Sequence, residues 1–278
     1  MVVRDADASQ GASGAPAQSP GFDTGVPNIA RIYDYLLGGK DNFAADRAVG
    51  DMVTSIFPAM AQSARANRAF LSRAVRYLAG EAGIRQFLDI GTGMPTAGNT
   101  HEVAQSAAPA SRVVYVDNDP VVLTHARALL RSSPEGASAY IDADLRDPGK
   151  ILAEAAHTLD FSEPIAIMLL LVLHFIPDQE AYEAVRTLLA AAAPGSFLVV
   201  SHMPKDIEPE SVSEMIKRAS EVPYSAPMYP RTRDEVARFF AGLELAEPGV
   251  VALQDWRPES EFEARARAIV WGGLARKP

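Results

Sequence analysis

Phe87-Leu88-Asp89-Ile90-Gly91-Thr92-Gly93 is the stretch on which the fold turns. A β-rich run over Gln86–Ile90 enters a glycine turn, and helical spacing follows from Thr96 to Ala107. Glycines at such a junction let the backbone approach a ligand closely, and the amides of the next helix N-terminus favour a negative or electron-rich group. The loop is not the dinucleotide fingerprint, because Gly91-x-Gly93 is followed by Met94, Pro95 and Thr96, with the next glycine at Gly98. By itself the turn reads equally well as structural or as ligand-binding.

The next two β-rich runs end in the same manner. Arg112–Val116 leads into Asp117-Asn118-Asp119, about 20 residues beyond the glycine loop, where an acid accepts hydrogen bonds from ribose hydroxyls. Either acid can also cap the following helix, and Asp119-Pro120 has the form of an N-cap and first helical position. We assign Asp117 to the ribose and Asp119 to the cap. Ala137–Ile141 ends in Asp142-Ala143-Asp144-Leu145, an acid placed to accept the exocyclic amine of an adenine. Three successive strand ends thus aim polar groups at one crevice, which points to a nucleoside ligand.

Further β-rich runs lie at Ile165–Leu173 and Ser196–Ser201, with helical stretches at Pro120–Arg131, Pro148–Leu159 and Asp178–Ala192 between the strands. Strands alternating with helices of this length predict βαβ units and a parallel sheet covered on both faces. After Ser201 the rhythm breaks over Met203–Pro230; the capping box Thr232-x-x-Glu235 then opens a helix to about Ala241. Two more β-like runs, Gly249–Leu253 and Ala266–Trp271, complete the pattern. N-terminal to the sheet, residues 1–21 have the composition of a disordered tail, and 22–82 read as an all-helical cap. In the cap Ile29, Ile32, Tyr33, Leu36 and Leu37 recur at helical spacing between Asn28 as cap and Gly38-Gly39 as stop. Two more helices follow, over Phe43–Phe57 and Ala59–Leu78. We place the sheet domain at 83–278, with 203–230 as a substrate-side insertion.

The 278 residues carry 26 Lys+Arg against 35 Asp+Glu, a net charge of −9, and 48% are hydrophobic. That charge opposes non-specific binding to phosphate backbones, so no nucleic-acid partner is expected. The absence of cysteine removes disulfides, thiolate zinc sites and Cys nucleophiles, and suits a cytoplasmic location. The longest apolar run, Ile165 to Ile176, is shorter than the ~20 residues of a membrane span, and Met1–Pro20 lacks the hydrophobic stretch of an export signal.

Several chemistries fail for want of parts. Gly38-Gly39-Lys40-Asp41 lacks the glycine spacing and hydroxyl of a phosphate loop, and His101-Glu102-Val103-Ala104-Gln105 ends in Gln where a metalloprotease helix carries its second His. No G-x-S-x-G elbow occurs. No pair of histidines has metal-ligand spacing, so no metal is expected. None of the eight tyrosines has a lysine four residues on, so the Tyr–Lys pair of short-chain reductases is missing.

The glycine loop with Asp117, Asp144 and seven β-like runs resembles a class I S-adenosylmethionine-dependent methyltransferase. The segment Pro27-Asn28-Ile29-Ala30-Arg31-Ile32-Tyr33-Asp34-Tyr35-Leu36-Leu37-Gly38-Gly39-Lys40-Asp41-Asn42-Phe43 is similar to the signature of a bacterial S-adenosyl methyltransferase family first known as a domain of unknown function. Further matches are Gly91-Thr92-Gly93-Met94-Pro95-Thr96, His101–Gln105 and Trp271-Gly272-Gly273; Pro95 departs from the usual third glycine. The resemblance runs from about residue 22 onward. It implies a Rossmann-like α/β fold with a seven-stranded, mostly parallel sheet whose last strand is antiparallel. It also implies S-adenosylmethionine with its methionine part by Gly91, Thr92 and Gly93, its ribose on Asp117, and its adenine between Asn118 and Asp144 beside Leu145.

In that setting Tyr33, Tyr35, Lys40, Asp41 and Asn42 read as a lid over cofactor and acceptor, although the same residues suit a surface helix with a glycine stop. Arg65, Asn67 and Arg68 offer an anion-binding edge or a solvated helix face. His174 and His202 follow directly on strands, where α/β sheets bind ligands, and are the candidate general bases, with Tyr33 beside them; either His can instead bond a neighbouring loop. Met215, Tyr224, Met228 and Tyr229 either roof the acceptor pocket or pack against the N-terminal helices. The expected function is methyl transfer to a small molecule. The alternatives are a non-catalytic nucleoside-binding regulator and a nicotinamide-dependent oxidoreductase.

Overall fold

Every residue of β1 (Gln86–Ile90), β4 (Ala166–Leu170) and β5 (Phe197–His202) is buried, which is why these strands read as nearly unbroken apolar runs and not as alternations. The computed structural model describes residues 23–129, 132–222 and 226–278; the expected tail over 1–21 lies outside them. With β2 (Arg112–Asp117), β3 (Ala137–Asp142), β6 (Glu244–Leu245), β7 (Val251–Ala252) and β8 (Trp271–Arg276), the strands form one sheet in the order β3-β2-β1-β4-β5-β8-β6. The β1–β5 neighbours are all parallel and β8 runs antiparallel to β5. This is the expected mostly parallel sheet with an antiparallel last strand. An additional short strand, β7, pairs with β8 at Val251↔Gly272, while β6 pairs with it at Leu245↔Ala275.

The last two β-like runs differ from expectation. The run Ala266–Trp271 only leads into β8, which begins at Trp271, and Gly249–Leu253 contributes just the two residues of β7. Gly272 and Gly273 disguise β8, since glycine weakens a strand. They are needed because Leu253 occupies the space of a side chain at Gly272, and Val250 and Phe240 crowd that at Gly273.

The pleat sorts side chains into two cores. Leu88, Ile90, Val114, Ile167, Leu198 and Val200 face α6 (Pro148–Ala155), α7 (Asp178–Ala191) and the region of α9 (Arg233–Ala237). Phe87, Val113, Met168, Leu170 and Val199 face α3 (Met60–Arg76) and α4 (Thr100–Ala107). Helix α3, within the stretch read as a cap, is therefore one of the layers that cover the sheet. Its buried Phe70 meets Trp256 edge-on at 5.1 Å between ring centroids.

Helices α1 (Ile29–Leu37) and α2 (Ala44–Ile56) precede it. Asn28 caps α1 by accepting from the Arg31 amide, and Gly38 ends it at φ 82°. The remaining helices are α5 (Pro120–Leu129), α8 (Pro209–Ser220) and α10 (Glu261–Ala264). Helix α8 was not foreseen. It packs Val212 and Met215 with Met203, Phe57 and Ile269 into a small separate core that joins the insertion to α2.

Candidate cofactor site

The parallel strands all discharge at one edge, and the glycine loop sits there. Helix α4 begins at Thr100 and not at Thr96, because Glu102 accepts from the amides of Gly98 and Asn99 at 2.7 and 2.8 Å and closes a capping box with Asn99. Residues 91–99 are thus an open loop. Gly91 has φ 75°, and a Cβ there would lie 2.5 Å from Val172 Cγ2; at Gly93, φ 65°, the corresponding space is empty. The loop requires glycine for conformation at both positions and for clearance at the first.

Asp117 ends β2 with both carboxylate oxygens on this loop edge. Oδ2 accepts from the Gly93 amide at 2.9 Å and Oδ1 from the Asp119 amide at 3.0 Å. Two backbone donors leave a carboxylate with further lone pairs for hydroxyl groups, and burial raises its pKa from the ordinary value. Asp119 caps α5 as expected, accepting from Val121 at 2.7 Å, while its other oxygen receives Asn28. Beyond β3, Asp144 is clamped by Arg146 through Nε at 2.9 Å and Nη2 at 2.6 Å, and this pairing holds it down at about 2. Asn118 donates to the same carboxylate at 3.1 Å, and Leu145 is buried alongside. Asp117, Asn118 and Asp144 are therefore brought together at adjoining strand ends, with Gly93 bonded to the first.

Asp89 was not singled out in the sequence, yet it is the most perturbed acid of the site. The pleat turns it to the α3/α4 face with Phe87. It is 5% exposed, receives the Thr100 hydroxyl at 2.6 Å, and desolvation raises its pKa to about 6. It lines a cavity of about 10 Å³ with Arg68, Thr92, Gly93, Asn99 and Tyr140, room for about one water. Arg68 reaches across from α3 and donates to Gly98 and Ala97 carbonyls at 2.8 and 3.2 Å. Tyr140 stacks on Tyr115 with centroids 5.1 Å apart; its hydroxyl, like that of Thr96, is buried without a hydrogen-bond partner among the described residues. A lone acid inside an aliphatic strand was the available signal.

Helix α1 lies over this edge. Besides the Asn28–Asp119 bond, Ala30 packs on Met94, Val121 and Val122. Tyr33 bonds Ala64 and Asn67, and burial raises its pKa, so its hydroxyl stays protonated. Tyr35 instead points to α2, bonding Asp51 at 2.6 Å and covering Gly50. Asn42 is buried between Asp34, Gly39 and Arg47, Asp41 donates its amide to Asp34, and Lys40 is exposed. Arg65 is exposed as well. In the structure Tyr35 and Asn42 hold α1 and α2 together, and Tyr33 faces α3.

The two histidines lie on different footings. Strand parity sends His202 to the α7/α9 face, where Nδ1 donates to Met203 O at 2.8 Å and Nε2 receives the buried Arg231 at 2.7 Å. Burial holds it neutral, well below the usual pKa, and no lone pair remains to take a proton. His174 packs on Phe175 with centroids 4.1 Å apart, and its Nδ1 is buried with no partner among the described residues. Burial and then Arg231 push it down to about 3, far from the operating range of an efficient base. Tyr229 donates its amide to His174 O at 2.6 Å, Met215 and Met228 pack in the core shared with α2, and Tyr224 lies outside the described residues. Arg231, which sequence reasoning missed, ties this region together by also bonding Asp178, Leu173 O and Ile176 O. Among the described residues no group of three or more His, Asp or Glu is gathered to hold a metal, and no helix is long and apolar enough to cross a membrane.

These features have counterparts. A family model described as S-adenosyl methyltransferase matches residues 15–278. The crystal structure of a DUF574 family protein from Streptomyces avermitilis MA-4680 is 46% identical, with a TM-score of 0.88 over 92% of this chain and 99% of that one. That of a candidate methyltransferase from Thermobifida fusca YX is 44% identical, with a TM-score of 0.83 over 95% and 99%. A more distant likeness in fold, 12% identical with a TM-score of 0.51 over 90% and 95%, is the plantazolicin methyltransferase BpumL in complex with S-adenosylhomocysteine. No protein of curated function matches. Strand order, glycine loop and family model agree, and the chain belongs to the S-adenosyl methyltransferase family, enzymes that use S-adenosylmethionine as cofactor.

Proposed function

We propose that this methyltransferase binds S-adenosylmethionine across the ends of β1, β2 and β4 and methylates a small molecule admitted beneath α1. The observation that carries the reading is Asp117, which ends β2 with its carboxylate already fixed by the Gly93 amide and with lone pairs left for both ribose hydroxyls. Asn118, Asp144 and Leu145 form the adenine edge, the clamp by Arg146 keeping Asp144 charged and oriented as an acceptor. At the other end Gly91, Thr92 and Gly93 give the methionine part room. There Asp89 and Arg68 offer opposite charges to its ammonium and carboxylate, and the unpartnered hydroxyls of Tyr140 and Thr96 offer further polar atoms.

The bound cofactor supplies an activated methyl group on sulfur, so positioning and exclusion of water do much of the work. Helix α1 excludes water, with Tyr33 on its inner face and Lys40 and Asp41 at its rim. Tyr229 and the methionine-rich packing of the insertion border the acceptor side, a surface suited to a partly apolar substrate. His202 is saturated by Arg231 and His174 is held far below the range of an efficient base, so the proposed transfer relies on positioning and not on either histidine. The net charge of −9 and the absence of cysteine favour a small substrate in a reducing cytoplasm over nucleic acid.

Calorimetric titration with S-adenosylmethionine, S-adenosylhomocysteine and NAD tests this. Micromolar binding of the first two without NAD is the expected result, followed by a screen of small acceptors for methylation. Binding of NAD alone, or of none, defeats the site assignment.

A further inference from the structure

Leu171 leaves β4 with φ 51°, in the left-handed region that a leucine rarely adopts. Its amide is held from one side only, donating to Ser201 Oγ and to Ser201 O, each at 3.0 Å. The next residue is Val172, the side chain that stands in the space beside Gly91. The conformation of Leu171 therefore fixes the wall against which the glycine loop rests.

Ser201 does not end the connection. Its hydroxyl donates to Asn67 Oδ1 at 2.6 Å, Asn67 Nδ2 donates to Tyr33 Oη at 3.0 Å, and Tyr33 donates to Ala64 O at 3.1 Å. Ser201 is 0% and Asn67 4% exposed, so water does not compete. Hydroxyl and amide hydrogens are assigned from such a network, and here both ends settle the direction. The Leu171 amide can only donate and the Ala64 carbonyl can only accept, so Ser201, Asn67 and Tyr33 each pass one donor along in a single sense. Chains ordered in this way polarise each successive bond and strengthen one another.

We infer that Asn67 and Ser201 are positioning residues: this relay ties α1 to the exit of β4, so that seating the lid sets Leu171, and with it Val172, against the glycine loop. It rests on the reading of that loop as the cofactor's methionine end. The relay crosses from α1 through Asn67 of α3, the helix packed between α1 and the sheet, to β5 and the exit of β4. Their side-chain hydrogen bonds run to each other, to Tyr33 and to Leu171, so both act through Leu171.

Amide hydrogen exchange on the full chain, with and without S-adenosylhomocysteine, tests the relay using Tyr33→Phe, Ser201→Ala and Ser201→Thr. Tyr33→Phe removes one hydroxyl at the lid and keeps the ring. It is expected to speed exchange over residues 171–176, and Ser201→Ala to speed exchange over 29–37, each reaching the far end of the chain of bonds. Affinity for S-adenosylhomocysteine is expected to fall about five-fold in each variant, the scale of one buried hydrogen bond. The double variant should lose little more than either alone, and Ser201→Thr should restore both readouts. Purely local effects in exchange, with multiplicative losses in affinity, overturn the relay. Failure of the wild-type chain to bind S-adenosylhomocysteine would instead count against the cofactor assignment, and exchange in its absence would still decide the relay.

Discussion

Thr100 donates its hydroxyl to Asp89 Oδ2 at 2.6 Å, joining the first turn of α4 to the C-terminal end of β1. The bond partly compensates the burial of a carboxylate, but desolvation still dominates and the pKa stays near 6. Because the folded value lies above the ordinary 3.8, Asp89 contributes its full stability only below about pH 4 and loses it as pH rises through about 6. A shift of this size corresponds to roughly 3 kcal/mol. Asp89→Asn is expected to raise Tm at pH 7.5 by several degrees while weakening S-adenosylmethionine binding by about ten-fold or more. In the wild type that affinity should decline as pH falls through 6. Scanning calorimetry and titration across pH 5–8 read both effects, and a variant that is both less stable and equally tight would contradict them.

Gly91→Ala should cost cofactor affinity far more than it costs folding. A methyl group at φ 75° and 2.5 Å from Val172 must displace either the loop or the valine. Trimming the obstacle, as Gly91→Ala with Val172→Gly, is expected to recover part of the affinity, since Val172 Cβ, at 2.7 Å from the added methyl, goes together with Cγ2 and the backbone cost of about 1 kcal/mol remains. Equal affinities for single and double variants would show that Val172 is not the obstacle.

Asn28 has two duties that substitution can separate. As N-cap it accepts from Arg31, and through Nδ2 it reaches Asp119. Asn28→Ser preserves a capping oxygen but is too short and lacks the amide donor, whereas Asn28→Ala loses both functions. Dissociation of S-adenosylhomocysteine, followed by stopped flow, should quicken in both variants. Loss of α1 protection in the free protein should be marked only for Ala.

Acid should destabilise the protein through His174 and His202. Both are held below the ordinary 6.5 by burial, so the unfolded chain takes up their protons first and stability falls as pH drops below about 6.5. His174→Phe keeps a ring against Phe175 and removes the unpartnered nitrogen. Its Tm should match the wild type near pH 7.5 and exceed it at pH 5.5. A Tm curve parallel to the wild type would remove His174 from the acid response.

Much of the sheet was legible because burial on both faces leaves β1, β4 and β5 as apolar runs that no helix period explains. Local chemistry was equally readable: Asn28, Asp119 and Thr232 all cap helices where their residue types suggest. The late start of α4 was encoded in Asn99 and Glu102, a signal outweighed by the helical spacing upstream. Helix α8 was hidden by Pro209, which is tolerated because it occupies the first turn. What sequence could not supply were partnerships across the fold. Asn67 and Ser201 lie 134 residues apart, and the saturation of His202 by Arg231 depends on two elements meeting on one face. Strand parity did hold a clue there: Ser201 and His202 are neighbours, so only one of them can face α3.

The far border of the sheet has a consequence for solubility. Its outer strand is two fragments, β6 and β7, of two residues each, and Pro248 in the gap between them has no amide proton to offer. A strand arriving from another molecule would find no continuous row of donors and acceptors to zip onto. Short, broken margins of this kind are how open sheets resist edge-to-edge polymerisation, and this border is built in that way.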